Sequence, residues 1–229
     1  MNYTGYTMTE SVRSFMYKVY GWMAAGLALT AGTAYYVFTN KALFNYIFSS
    51  PWVIGLLVIA QFGAVIALSG FVLRMQLSTA IVTFVGYSIL TGVTLSSIFF
   101  VYQISSIYLV FAVAAGMFAT MAIYGYFTKS DLTGVGSLAR MGLFGIIIAI
   151  IINIFARSAQ MDYIISLIGV GVFTLLIAYD SQKIKQMGQM MLGQGQVANK
   201  VALLGALTLY LDFINLFIFL LNLLGKKRD

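Results

Sequence analysis

The sequence predicts an all-α integral membrane protein with seven transmembrane helices. Three observations predict it. The 229 residues are 61% hydrophobic and only 8% charged, where soluble domains run at about 25% charged residues. The mean hydropathy is +0.96. The apolar residues fall into stretches of the roughly 20 residues that a helix needs to cross a bilayer core. A soluble globule of this length could not bury so much apolar surface, so lipid must solvate most of the chain.

Residues 1–18, MNYTGYTMTESVRSFMYK, form a polar segment without the pattern of a cleavable signal. The first apolar run, Val19–Phe38, is therefore read as a span. Pro51–Leu73, Thr79–Tyr102, Tyr108–Phe127, Gly136–Ala156, Tyr163–Tyr179 and Val201–Leu224 follow. The separators are short. Gln103–Ile107 carries no charge, so the third and fourth spans are divided on length alone. Thr128–Val135, TKSDLTGV, reads as a turn. The longest separator is Asp180–Lys200, rich in Gln and Gly. The predicted organisation is thus a polar segment at 1–18, a seven-helix domain at 19–225 and a basic tail at 226–229.

Tyr and Trp gather near span ends, among them Tyr17, Trp22, Trp52, Tyr102, Tyr108 and Tyr126, as in an interfacial aromatic belt. Small residues such as Gly21, Ala25, Gly32, Ala112 and Gly116 recur at helical spacing, which allows close helix approach. The short-loop cations Arg13, Lys18, Arg74, Lys129, Arg140, Lys183, Lys185 and Lys200 share one side if the N-terminus is cytoplasmic. Lys226, Lys227 and Arg228 oppose that bias. Seven full crossings put them outside; an incomplete last crossing would return them inside. They read as a lipid head-group anchor rather than a nucleic-acid patch, despite the net charge of +7. No nucleic-acid partner is expected.

The chain has no Cys and no His. That excludes thiolate chemistry and disulfides, and removes the usual zinc ligand and the usual side chain titrating between about pH 5 and 8. A pH response must come from carboxyl groups. No G-x-S-x-G or H-E-x-x-H is present, and no base stands ready for a serine nucleophile. An aspartyl dyad would fit 179-YD-180, but Asp212 follows Leu209, Tyr210 and Leu211 rather than Gly-x-Gly. The chain is expected not to be an enzyme and to hold no cofactor.

Asp212 lies within Val201–Leu224, which has no other charge. A mid-bilayer charge costs about 2.5–3.5 kcal/mol on insertion scales. Thr208, Asp212, Asn215 and Asn222 share one helix face by spacing, so that stripe is expected to line an internal cavity and to make the last span central. The plainer reading of Asp212 is a structural hydrogen bond to a neighbouring helix. Asp180 closes the sixth span in 177-IAYDSQKIK-185; its plainer reading is a solvated interfacial residue beside Lys183. Arg74 ends the second span on the side of Asp180, where it could pair with it or serve as a snorkelling anchor.

The segments 91-TGVTLSSIFFVY-102, 121-MAIYGYFTKSDLT-133, 179-YDSQKIK-185 and above all 209-LYLDFINLFIFLLNLLG-225 resemble the Bax inhibitor 1 family of membrane proteins. The resemblance covers the second to seventh spans. It implies seven helices with the last one wrapped by the other six. It implies a pH-sensitive calcium leak with a two-aspartate sensor at Asp180 and Asp212, and a latch arginine at Arg74. Some relatives carry an acidic residue in the second helix, where this chain has Gln61, Phe62 and Gly63. The resemblance also implies a location in a bacterial plasma membrane rather than an intracellular one.

Two function classes follow. The first is a cation leak. Two adjacent carboxyls in a low-dielectric site titrate as one coupled unit, and Arg74 paired with Asp180 would plug the cytoplasmic end. Calcium takes about 6–8 oxygens; Asp180, Asp212, Asn215, carbonyls and water offer only a weak, transient set, with calcium as the transported ion. The second is a non-conducting regulator of membrane, protease or cell-death partners, in which the aspartates serve packing. The expected partners are the bilayer, calcium, protons and membrane proteins.

Overall fold

The computed structural model describes residues 3–191 and 193–228, with side chains from Ser11 onward. Backbone amides cannot be left unpaired in hydrocarbon, so apolar runs close their hydrogen bonds within themselves as helices. The described residues accordingly form α1 (Tyr3–Thr39), α2 (Lys41–Phe48), α3 (Pro51–Phe71), α4 (Leu77–Leu95), α5 (Ile98–Val101), α6 (Ile104–Phe127), α7 (Thr133–Ala156), α8 (Ala159–Met190) and α9 (Gly195–Leu224). Among the described residues six helical stretches are long and apolar enough to span a membrane: α3, α4 continued by α5, α6, α7, α8 and α9. The Val19–Phe38 run lies inside α1, where Tyr20, Trp22, Thr30, Thr33, Tyr35 and Tyr36 dilute its hydropathy.

Local chemistry sets the ends. Asn40 caps α2 by accepting from the Leu43 amide at 3.1 Å. Pro51 opens α3, where its missing N–H is not needed. Ser96 and Ser97 turn their hydroxyls back onto Val93 and Thr94 carbonyls at 2.7 and 2.9 Å, separating α4 from α5. Asp131 accepts from the Thr133 amide and hydroxyl at 2.9 and 2.6 Å at the start of α7. α7 ends at Arg157 with φ 50°, a left-handed turn for a non-glycine residue that Asn153 stabilises by bonding both the amide and the carbonyl of Ser158.

The apolar count misplaces several boundaries; the first helix begins at Tyr3 rather than Val19, so most of the expected polar segment is helical. The sixth helix does not stop at Tyr179 but runs to Met190. Lys, Gln and Met are strong helix formers, so losing hydropathy there does not end the helix. The expected long separator shrinks to a turn around Gly193, at φ 80°, a conformation open to glycine. Likewise Thr39–Ser50 is mostly the short helix α2.

The chain divides into two compact units, Met1–Val101 with Met187–Tyr210, and Tyr102–Gln186 with Leu211–Asp229. In the first, α1 meets α4 at bare glycine faces. A Cβ on Gly92 would lie 2.6 Å from the Thr30 carbonyl oxygen, and one on Gly26 would lie 2.8 Å from the Phe84 ring. In the second, Gly125 of α6 receives α8 so closely that a Cβ would meet the Ala178 carbonyl oxygen at 2.1 Å. The last residues are strapped to the turn before α6. Gln103 donates its amide to the Lys226 carbonyl at 2.9 Å, and Tyr102 bridges Lys227. α9 thus runs its full length, ending beside Gln103. In its most apolar stretch 72% of residues are buried, against 6% in α3: α9 is an interior helix and α3 a lipid-facing one.

Candidate functional site

The buried stretch of a helix should carry no charge without a reason. Asp212 is 5% exposed on α9, and its Oδ2 is a buried oxygen with no hydrogen-bond partner among the described residues. The other carboxyl at this point is Asp180 of α8, half-buried and within hydrogen-bond reach of Asp212. Two carboxyls can hydrogen-bond to each other only when one of them supplies a proton. The arrangement is a pair of neighbouring carboxyls, one of them buried, that cannot approach closely without a shared proton or a cation. Lys183 and Arg140 lie within electrostatic reach of Asp180. Asp180 is partly buried rather than fully solvated, and the neighbour of Asp212 on the adjacent helix is another acid.

The segment of α8 around Asp180 is pinned from several sides. Gly125 grips Ala178, and the Tyr179 ring sits on the bare face of Gly136, where a Cβ would lie 2.3 Å from ring carbon Cδ2. Gln182 accepts from the Leu132 amide at 2.9 Å and donates to the Ser130 carbonyl at 2.8 Å. Lys185 donates to the Tyr126 carbonyl at 2.6 Å. These contacts hold the α6–α7 connection against α8, and they fix the direction in which Asp180 leaves its helix.

The predicted polar stripe of α9 separates into different roles. The partly accessible positions of α9 include Leu204, Thr208, Leu211, Asn215 and Ile218, a helical spacing that takes in Thr208 and Asn215 but not Asp212. Thr208 and Asn215 bond back to the Leu204 and Leu211 carbonyls of their own helix at 3.1 and 2.8 Å. Asn222 is exposed and accepts from the Tyr102 hydroxyl at 2.9 Å. Asp212 lies beside the stripe, on the buried side. Arg74 is exposed in the turn between α3 and α4, on an open cavity of about 500 Å³ shared with Gln76, Ser78, Gln196 and Lys200. Its cavity neighbour is thus another cation, and Lys200 donates to the Leu73 carbonyl at 3.3 Å.

No group of three His, Cys, Asp or Glu side chains gathers among the described residues, so the metal-ligand set expected at Asp180 and Asp212 amounts to these two carboxyls. Sequence reasoning missed Tyr179, Gln182, Arg140 and Gly136. Arg140 was read only as a loop cation, although its spacing of four from Gly136 puts both on one face of α7.

With this geometry in place, comparisons with known proteins add the lineage. The family model described as inhibitor of apoptosis-promoting Bax1 matches residues 12–229. The chain belongs to this family. A protein of Borreliella burgdorferi is 45% identical over 215 residues, covering 94% of this chain and 93% of the relative. The inner membrane protein YbhL of Escherichia coli K12 is 44% identical over 219 residues, covering 95% and 93%. A membrane protein of Streptococcus pyogenes serotype M6 is 36% identical over 226 residues, covering 97% of each. Membership of the Bax inhibitor family and the apolar helices fit a multi-pass membrane protein.

Proposed function

We propose that the chain is a pH-sensitive leak for calcium or similar cations across a bacterial plasma membrane, gated by the Asp180–Asp212 pair. The observation that carries this reading is the pair itself, with the unpartnered oxygen of Asp212 in the most buried helix. A carboxyl desolvated at that depth is costly as packing alone. While the pair shares a proton, α8 and α9 are bridged there. When that proton leaves, two negative charges face each other, and they either separate or take up a cation.

The cation is cargo. Two carboxyls with Asn215, main-chain carbonyls and water form a loose oxygen set, and weak binding suits an ion that must leave again. Seven crossings belong to this reading, with Val19–Phe38 as the first and the N-terminus cytoplasmic. The tail strapped at Gln103 supports a complete final crossing. Arg74 enters as the latch at the cytoplasmic end, on the strength of the family resemblance. No catalytic role is assigned.

The test is calcium entry into liposomes loaded with an indicator, across about pH 5.5–8.5. The reading expects flux above empty liposomes, with a pH dependence that Asp180→Asn flattens and Arg74→Gln raises at the closed end of the range. Flux no greater than empty liposomes at every pH would remove the leak. The regulator reading would then stand, with partner binding insensitive to Asp212→Asn.

A further inference from the structure

Arg140 of α7 and Lys183 of α8 converge on one aromatic ring. The Arg140 guanidinium carbon lies 5.0 Å and the Lys183 ammonium 5.7 Å from the Tyr179 ring centroid. Arg140 also donates to the Tyr179 hydroxyl at 2.9 Å, using one of its five N–H donors. The ring is fixed, buried against Gly136, Leu132 and Ala178, whereas both cations are exposed. Like charges held on one platform repel unless an anion lies between them. Asp180 lies within electrostatic reach of both cations, but it is half-buried while both cations are exposed, so their outward faces are left to a second anion.

The position of the two cations says which anion. α7 presents an exposed apolar strip, Leu138, Met141, Phe144, Ile148, Ile151 and Phe155. At about 1.5 Å per residue this strip covers roughly 25 Å of helix, close to the ~30 Å hydrocarbon thickness of a bilayer. Arg140 lies at the Leu138 end of the strip; a hydrocarbon layer matched to the strip puts it level with lipid head groups, where guanidinium and ammonium groups meet phosphate.

We propose that Arg140 and Lys183, held on Tyr179, form a binding site for the phosphodiester of an anionic glycerophospholipid. The lipid's acyl chains lie along the exposed α7 strip. The guanidinium fork takes two phosphate oxygens and the ammonium a third contact. The site does not depend on the leak reading and stands or falls separately from it.

Native mass spectrometry of the full-length protein tests this, counting retained phosphatidylglycerol against phosphatidylcholine in titrations of each. Wild type should retain phosphatidylglycerol preferentially. The double variant Arg140→Gln/Lys183→Gln should bind it roughly tenfold or more weakly, and Lys183→Gln alone, at an exposed position, should show a smaller loss in the same direction. The charge-preserving Arg140→Lys/Lys183→Arg should retain the preference. Equal retention by wild type and the Gln variants would overturn the proposal, as would equal loss in the charge-preserving one. Displacement of the lipid by inorganic phosphate at matching concentration would overturn the lipid assignment in favour of a free anion.

Discussion

Two polar clusters meet α9 within two residues of each other, and they are built on opposite principles. At Tyr210, in the first unit, the hydroxyl lies 2.6 Å from the Thr30 hydroxyl, which in turn donates to the Ser88 carbonyl at 2.9 Å. Tyr210 is fully buried and packs edge-on against Phe84 and Tyr87. These are neutral groups, each with a partner. At Asp212, in the second unit, the group is acidic, its interacting neighbour is another acid, and its Oδ2 has no hydrogen-bond partner among the described residues. Satisfied neutral polar groups in a membrane interior lock helices together at a modest gain per bond. A desolvated acid pair adds little packing stability, and in the proposed function it exchanges a proton or an ion. On the proposed function, neighbouring positions on one helix serve fixation and response.

The contrast can be broken hardest at the first cluster. Gly92→Ala pushes a Cβ to 2.6 Å from the Thr30 carbonyl oxygen, and backbone cannot yield as a side chain would. It should cost about 1–3 kcal/mol or more by overpacking, read as a lower unfolding temperature in detergent. Thr30→Val should come next. It removes the Thr30 partner of the buried Tyr210 hydroxyl and leaves Thr91 beside it, a loss of about 1 kcal/mol. Asp212→Asn should go the other way, leaving thermal stability unchanged or raised by up to about 1 kcal/mol, since it removes a desolvated acid. A strong destabilisation by Asp212→Asn would make the pair structural after all.

The smallest effect sharpens the comparison with a third carboxylate. Asp131 is solvent-exposed, and its bonds to the Thr133 amide and hydroxyl hold it below the usual carboxylate range. Because its folded-state value is depressed, its stabilising contribution is present at neutral pH and is lost only as pH falls through that lowered range. Asp131→Ala should therefore lower the unfolding temperature slightly at pH 7 and leave it unchanged in strong acid. Its calcium-flux profile should match wild type.

How much of this was legible in the sequence depends on the range of the interaction. Asp212 declared itself because hydrocarbon makes any charge conspicuous within a single segment, and Asp180 followed from its motif. Six of the expected spans followed from hydropathy, the Val19–Phe38 run being too dilute to qualify, and the helix ends went astray where hydropathy and helix propensity part company, as at Asp180–Met190. The stripe of Thr208, Asn215 and Asn222 was visible as a face, but spacing does not show that two of its members bond to their own helix. Thr30, Tyr210 and Ser88 were hidden because their chemistry arises only when α1, α4 and α9 meet. The seat of Tyr179 on Gly136 was hidden for the same reason. A glycine that receives a ring from another helix has the same local sequence signature as one that merely faces lipid.

The most direct test of the account compares the calcium-flux pH profiles of Asp212→Asn and Tyr210→Phe in the same liposomes. The account predicts that Asp212→Asn flattens the profile, while Tyr210→Phe keeps its shape and midpoint at whatever amplitude its stability allows. Flattening by both variants, or by neither, would contradict the division of α9 into a fixed and a proton-responsive cluster.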